Sequence, residues 1–149
     1  MIDSHKEKIL KTVFEESIAF NKLVGIKLLS FEPLKIGLEN RYELQGNTWR
    51  GFLHGGVIAT VLDVAGGIAI AHEIIMQNPD TDLAELGKQM TKVGTIDLRI
   101  DYLRPGVGES FVATAELMRH GSRITVVRMK FYNEKESLIA AGTGTYVVG

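Results

Sequence analysis

Residues 54–56 read His-Gly-Gly and stand directly before an apolar run that extends to Met76, with Asp63 inside that run. If the run is a helix, the N–H groups of its first turn have no acceptors within it. Glycine at 55 and 56 lets a ligand approach that backbone closely, and the helix dipole adds partial positive charge at the same end. Such a helix start suits an oxyanion, for example a carbonyl oxygen that gains charge during nucleophilic attack. A plain glycine-rich turn before a helix fits the same three residues equally well.

Asp63 sharpens the reading. A buried carboxylate without a partner is costly, so a carboxylate in an apolar helix needs a reason. It is either structural, capping a loop or paired with an arginine, or chemical, a nucleophile or general base at a carbonyl carbon. At the helical rise, Gly55 and Asp63 of one helix are about 12 Å apart. Reacting atoms must come within about 3 Å. One chain therefore does not easily supply both groups, whereas two antiparallel copies of the helix do. If both act on one carbonyl, the enzyme is at least a two-fold dimer with two shared sites.

The elements that must hold these residues follow from periodicity. Apolar positions Ile9, Leu10, Val13, Phe14, Ile18 and Leu23 suit one amphipathic helix over 3–23, with Asp3 or Ser4 as cap. Two strands, 25–31 and 35–45, are expected around a turn at Glu32-Pro33. The helix from Gly55 to Met76 is apolar on nearly every face, as befits one surrounded by protein, and Asn78-Pro79 ends it. Asp82-x-x-Glu85 resembles a capping box for a short helix over 80–90. In 95–103, Ile96, Leu98, Ile100 and Tyr102 alternate with polar residues, which predicts a half-buried strand. Three more strands are expected at 109–119, 123–133 and 137–148. Consecutive strands with short turns imply an antiparallel sheet of about five to six strands, α+β in class, curled around the central helix.

The 149 residues, 45% hydrophobic and 23% charged, fit one domain over 1–149 with an ordinary core. A formal charge of −1 advertises neither nucleic acid nor an anionic membrane. Cysteine is absent, which excludes disulfides, thiolate metal sites and a cysteine nucleophile, and fits a reducing compartment. The charged start, MIDSHKEKIL, has no apolar core or cleavage site of a signal peptide. The stretch from Val57 to Ala71 is interrupted by Asp63, Gly66 and Gly67 and is shorter than the ~20 residues of a membrane span. A cytoplasmic protein is expected.

Gly51-x-x-His54-Gly55-Gly56 with Asp63, then Thr95-Ile-Asp-Leu-Arg-Ile-Asp-Tyr102-Leu-Arg-Pro105, Gly121-Ser-Arg123 and a closing Ala-Ala-Gly-Thr-Gly-Thr-Tyr146, occur in a fixed order. Together they resemble the hotdog-fold thioesterases of the phenylacetyl-CoA thioesterase-like branch, over about residues 20–148. That resemblance implies a helix wrapped by a sheet, a homodimer or dimer of dimers joined through continuous sheets, and an acyl-CoA substrate without further cofactor. It implies that Gly55 supplies the oxyanion N–H, Asp63 on the partner's helix acts as nucleophile or base, His54 organises the loop, and Thr95 holds the attacking water. An ordinary strand threonine at 95 is the plainer alternative. Relatives often carry an asparagine six residues before the histidine. Here that place is Thr48, and a one-residue bulge would be needed to bring in Asn47. The 76–94 connection is long for the family and suits a lid or wall of the acyl pocket.

Gly56, Gly121 and the arginines Arg104, Arg119 and Arg123 are candidates to meet the coenzyme, since arginine suits phosphate. Solvated strand-end charges are the alternative. Trp49 is a candidate lining of the acyl pocket, or else core or interface filler. His5, His72 and His120 fit no metal-ligand spacing, so no metal is expected. Two other functions stay open: a non-catalytic acyl-CoA-binding protein, and a hotdog hydratase or dehydratase.

Overall fold

The computed structural model describes residues 4–149, so Asp3, one of the two candidate caps, lies outside the described residues. The first helix departs from expectation. Helix α1 (Ser4–Thr12) runs into a π-helical turn at Val13–Ser17, breaks at Ile18, and resumes as α2 (Ala19–Val24), which Gly25 ends in the left-handed region at φ 87°. Its cause lies in two buried polar side chains. Glu15 accepts hydrogen bonds from the Leu28 N–H at 2.7 Å and from Lys11 Nζ at 2.8 Å. Asn21 donates to the Phe14 carbonyl at 3.0 Å. These bonds tie the wide turn to the first strand, so Leu10 is buried while Leu23, intended for the same face, is 70% exposed.

Strands β1 (Lys27–Phe31) and β2 (Leu34–Glu39) flank the expected turn. The second strand stops earlier than expected. A 3-10 turn at Tyr42–Leu44 leads into β3 (Gln45–Asn47), which pairs with β4 (Phe52–Leu53) as a separate two-stranded ribbon. That ribbon delivers the chain to helix α3 (Gly55–Gln77). Helix α4 (Leu83–Met90) follows, and Asp82 caps it by accepting from the Glu85 N–H at 2.9 Å. The last four strands are β5 (Gly94–Tyr102), β6 (Ser110–His120), β7 (Ile124–Asn133) and β8 (Leu138–Val147).

Six strands form one antiparallel sheet in the order β1-β2-β6-β7-β8-β5. Its concave face and α3 build the core together: Ile58, Val61, Leu62, Ala65 and Ile68 of the helix pack among Ile36, Phe111, Val127, Met129 and Phe131 of the strands. Strand burial alternates with period two, most cleanly in β2 and β7. The chain thus adopts the α+β arrangement of a sheet wrapped on a buried helix. By length and composition α3 could cross a membrane, but 67% of its most apolar stretch is buried inside this sheet.

Strand β5 ends the sheet order, so one of its edges has no neighbour among the described residues. Its expected inward face is only partly covered, with Ile96 56% and Tyr102 52% exposed. A nine-residue edge carrying exposed apolar side chains is the kind of surface that pairs with another chain.

Candidate active site

His54 closes β4 and takes the N-cap position of α3 with extended backbone, φ −64° and ψ 134°. Its ring Nδ1 accepts a hydrogen bond from the Gly56 N–H at 2.8 Å. Since Nδ1 is the acceptor, the neutral ring carries its proton on Nε2. A Cβ at Gly56 would lie 2.9 Å from that Nδ1, so glycine is what lets the ring fold back as a cap. The Val57 and Ile58 N–H groups both bond to the His54 carbonyl, at 3.0 and 3.2 Å. The Gly55 N–H donates to no group among the described residues. Tyr102 closes one side of this helix start, its hydroxyl donating to the Gly55 carbonyl at 2.8 Å.

Asp63 lies two turns further along α3. Its partners are hydroxyls rather than an arginine or a loop backbone. Thr95 Oγ1 donates to Oδ1 at 2.8 Å, and the Tyr146 hydroxyl lies 3.1 Å from the same Oδ1 and 3.2 Å from the Asp63 carbonyl. Thr95 and Tyr146 are register partners on β5 and β8, so both side chains leave the same face of the sheet. The two donors converge on one oxygen, and Oδ2 accepts no hydrogen bond from the described residues. Thr95, expected to hold water, contacts the carboxylate itself.

Tyr146 had no role assigned in advance. Its ring occupies a slot left by two glycines: a Cβ at Gly66 would fall 2.1 Å from the hydroxyl, and one at Gly144 would fall 2.6 Å from Cε2. Burial, followed by the negative charge of Asp63 and the hydrogen bond to it, raises the phenol well above its ordinary pKa. Tyr146 is therefore a permanent neutral donor. The Gly144-Thr-Tyr146 sequence was a visible signal of it, since a glycine two residues before a large ring lies on the same strand face and leaves room for it.

Asp63, Thr95 and Tyr146 border a cavity of about 580 Å³ between α1, α3 and α4. Its remaining walls are largely apolar, including Ile9, Val13, Val64, Leu86 and Met90. A smaller hollow of about 330 Å³ borders Gly55 and includes Tyr102 and Arg104. Arg104 also donates to the Leu138 carbonyl at 2.7 Å.

The other expected residues are not drawn together. Gly121 lies in a turn beside Ile74 and Asn78, at the far end of α3, which the helical rise puts about 28 Å from Gly55. Arg123 belongs to the same exposed turn, and Arg119 is an exposed residue of β6. Asn47 is exposed on the ribbon, and Thr48 follows in its turn. Trp49 is 98% exposed and borders neither of these cavities, so it does not fill the core of its own chain; of the expected alternatives, interface filler fits that exposure. Asn40, unforeseen, ties the loop down, with Nδ2 donating to the Gly51 carbonyl at 3.0 Å and the Gly108 carbonyl at 2.7 Å. His72 is a core histidine stacked on Phe31 at 4.8 Å. No cluster of metal-ligating side chains occurs among the described residues.

Comparison with known proteins agrees with this geometry. Residues 50–140 match the thioesterase superfamily. The medium/long-chain acyl-CoA thioesterase YigI of Escherichia coli K12 is 38% identical over 144 residues, covering 95% of this chain and 93% of that protein. Mouse acyl-coenzyme A thioesterase 13 is 27% identical, over 95% of this chain and 93% of its own. The crystal structure of a Shewanella oneidensis protein related to the thioesterase superfamily superimposes with a TM-score of 0.91 at 38% identity, with both chains covered completely. The E. coli PaaI protein shares the fold at a TM-score of 0.73 and 19% identity. With a matching family region across most of the chain and a relative at this identity, the chain belongs to the thioesterase superfamily and is a thioester hydrolase.

Proposed function

We propose that the enzyme hydrolyses medium- to long-chain acyl-CoA thioesters to the free acid and CoA. One observation carries this reading: the Asp63 carboxylate, anchored through Oδ1 and accepting at Oδ2 from none of the described residues, stands in the wall of a large apolar cavity. A cavity of this size is ordinary for a ligand site. Its lining suits an acyl chain, and a carboxylate beside it suits attack at the first carbon of that chain. The names of the E. coli and mouse relatives point to the same substrate class.

In the base path, Oδ2 takes a proton from water as the water oxygen adds to the thioester carbon. In the nucleophile path, Oδ2 adds directly, and water later cleaves the mixed anhydride. Either way the carbonyl oxygen becomes an oxyanion, the C–S bond breaks, and the departing CoA thiolate takes up a proton. The oxyanion donor we assign is the Gly55 N–H of a second copy, since the two groups of one chain are about 12 Å apart along α3. The unpaired edge of β5 is the natural seam for that second copy. Gly56 belongs to the same helix start, and Arg104, beside the Gly55 hollow, and Arg123, at its exposed turn, are offered to the coenzyme phosphates.

The test is a thiol-release assay over acyl-CoA thioesters from two to eighteen carbons, with single-turnover labelled-water experiments. The expected result is hydrolysis rising with chain length. Label entering Asp63 would select the nucleophile path. Absence of hydrolysis across the panel, or hydration of an enoyl-CoA instead, overturns the reading.

A further inference from the structure

We infer that the cavity beside Asp63 is a measuring channel for the acyl chain, and that Gly67 and Gly87 set its bore. This rests on the function proposed above and extends it to the residues that choose chain length. Asp63, Gly67, Ala71 and Ile75 line the cavity at successive turns of one face of α3. The cavity therefore follows the helix for twelve residues, about 18 Å. An extended chain advances roughly 3.4 Å for every three backbone bonds, so this length accommodates about 15 bonds beyond the reacting carbon. Helix α4 roofs the channel. The chain leaves α3 at Gln77 and returns to Asp63 through Thr95, so α4 runs back along the cavity, burying Leu86 and bordering it with half-buried Met90 and the more exposed Leu83 and Gly87. At the far end, Lys6 of α1 donates to the Pro79 carbonyl and, at 3.0 Å, to the Thr81 carbonyl, fastening α1 to the connection between the two helices.

Glycine is a poor helix former, so two glycines on facing helices call for a cause. At Gly66, Gly144 and Gly56 the cause is a side chain that a Cβ would strike. At Gly67 and Gly87 a Cβ would meet nothing within 4 Å, and both residues line the cavity. At Gly67, half-buried, the missing side chain leaves open bore; at Gly87, exposed, it leaves open space at the border of the cavity. Gly67 is one turn from Asp63, about 6 Å along the axis, or roughly five bonds into the chain.

The experiment compares Gly67→Leu and Gly87→Leu with the unaltered protein. It reads kcat/KM for butanoyl-CoA and hexadecanoyl-CoA, and calorimetric binding of free hexadecanoate. Leucine is a better helix former than glycine, and Gly87 sits on a short peripheral helix, so at least that variant keeps its fold; thermal melts check both. In a hydrophobic pocket each excluded methylene costs about 10-fold or more in kcat/KM. The expected result is a fall of at least about 100-fold in the hexadecanoyl-to-butanoyl ratio for Gly67→Leu, a smaller fall for Gly87→Leu, and weaker hexadecanoate binding in both. If the unaltered protein hydrolyses hexadecanoyl-CoA and both variants keep its ratio and its hexadecanoate affinity, the channel is refuted while the thioesterase reading stands. If it hydrolyses no acyl-CoA but binds hexadecanoate and loses it in the variants, the channel stands and the proposed reaction falls. If the unaltered protein does not bind hexadecanoate at all, the channel is refuted.

Discussion

Replacing Asp63 by asparagine removes the charge and the proton-accepting oxygen while leaving the shape nearly unchanged. Thr95 and Tyr146 both donate to Oδ1, so the new amide settles with its carbonyl oxygen there and its NH₂ group in the place of Oδ2. The two hydrogen bonds survive but pass from charge-assisted, about 1.5–3 kcal/mol each, to neutral, about 0.5–1.5 kcal/mol. Release of a half-buried carboxylate from its desolvation cost offsets much of that loss. Net stability should change by about 1 kcal/mol, which is a shift of roughly 2–4 °C in Tm for a chain of this size. Catalysis is another matter. A positioned acid–base group contributes about 10²–10⁴-fold, equivalent to about 2.7–5.4 kcal/mol of barrier. The assay is thiol release at saturating and limiting acyl-CoA, with a thermal melt on the same sample. The expected outcome is a kcat lower by at least about 100-fold, a KM close to that of the unaltered protein, and a melt within a few degrees. A kcat within about tenfold of the original, or a melt so altered that unfolding accounts for the loss, would refute the reasoning.

Tyr146→Phe should lower kcat about tenfold with little change in KM, because one hydroxyl shared between two oxygens at 3.1 and 3.2 Å supplies the low end of a charged hydrogen bond; steady-state kinetics decides it. Combined with Thr95→Ala, the loss should differ from the sum of the singles, since both donors serve the same Oδ1. Gly66→Ala should destabilise by about 1–3 kcal/mol, because the added methyl would collide with the Tyr146 ring. Gly67→Ala, one residue along, should leave the melt unchanged or raise it. His54→Ala should cost about 1 kcal/mol through loss of the cap on the Gly56 N–H. Burial pushes the Glu15 carboxyl up, but the hydrogen bonds from Lys11 and Leu28 and the charges of Lys11 and Lys27 outweigh it, leaving the pKa below 4.5. Its stabilisation is complete above that value and is lost as pH falls through the lower folded-state pKa. Acid titration of Glu15→Gln should therefore show a flatter decline of stability below pH 4.5 than the unaltered protein does.

The elements that were legible in the sequence are those whose signal is local. Period two marked β5, turns at His120-Gly121 and near Asn133-Glu134 bounded β6 to β8 within a residue of their ends, and the capping box at Asp82 marked α4, because alternation, turns and caps involve neighbours in the chain. The break at Ile18 was not legible. It depends on Glu15 reaching the backbone of Leu28, thirteen residues on, and no helical periodicity encodes that contact. The β3–β4 ribbon was hidden for a similar reason, as strands this short carry no periodic signal. For the site, Asp63 and the His-Gly-Gly start stood out because a charge and paired glycines are anomalous in an apolar helix. Tyr146 did not, because a tyrosine ending a strand is unremarkable until the sheet carries it across to Asp63. Gly66 and Gly67 look identical on paper. Only packing separates the one that makes room for Tyr146 from the one that opens onto the cavity.

On the mechanism we propose, the asymmetry at Asp63 lets an apolar helix tolerate a carboxylate and still leave it reactive. Were both oxygens saturated with donors, the group would be well stabilised but inert. Were neither, the desolvation cost would fall on the fold. Here two hydroxyls, neutral and fixed on adjacent strands, hold one oxygen and so orient the other. Neutral donors are the better choice for this task. An arginine would stabilise the anion more strongly but would lower its basicity and fill the space an acyl group needs. The helix dipole places partial positive charge instead at the start of α3, where His54 satisfies the Gly56 N–H and that of Gly55 donates to none of the described residues. The two halves of the proposed chemistry thus lie at separate points of one rigid helix, about 12 Å apart. A rigid helix cannot fold back to unite them, which is why we assign their union to a second copy along the β5 edge rather than to any movement within the chain.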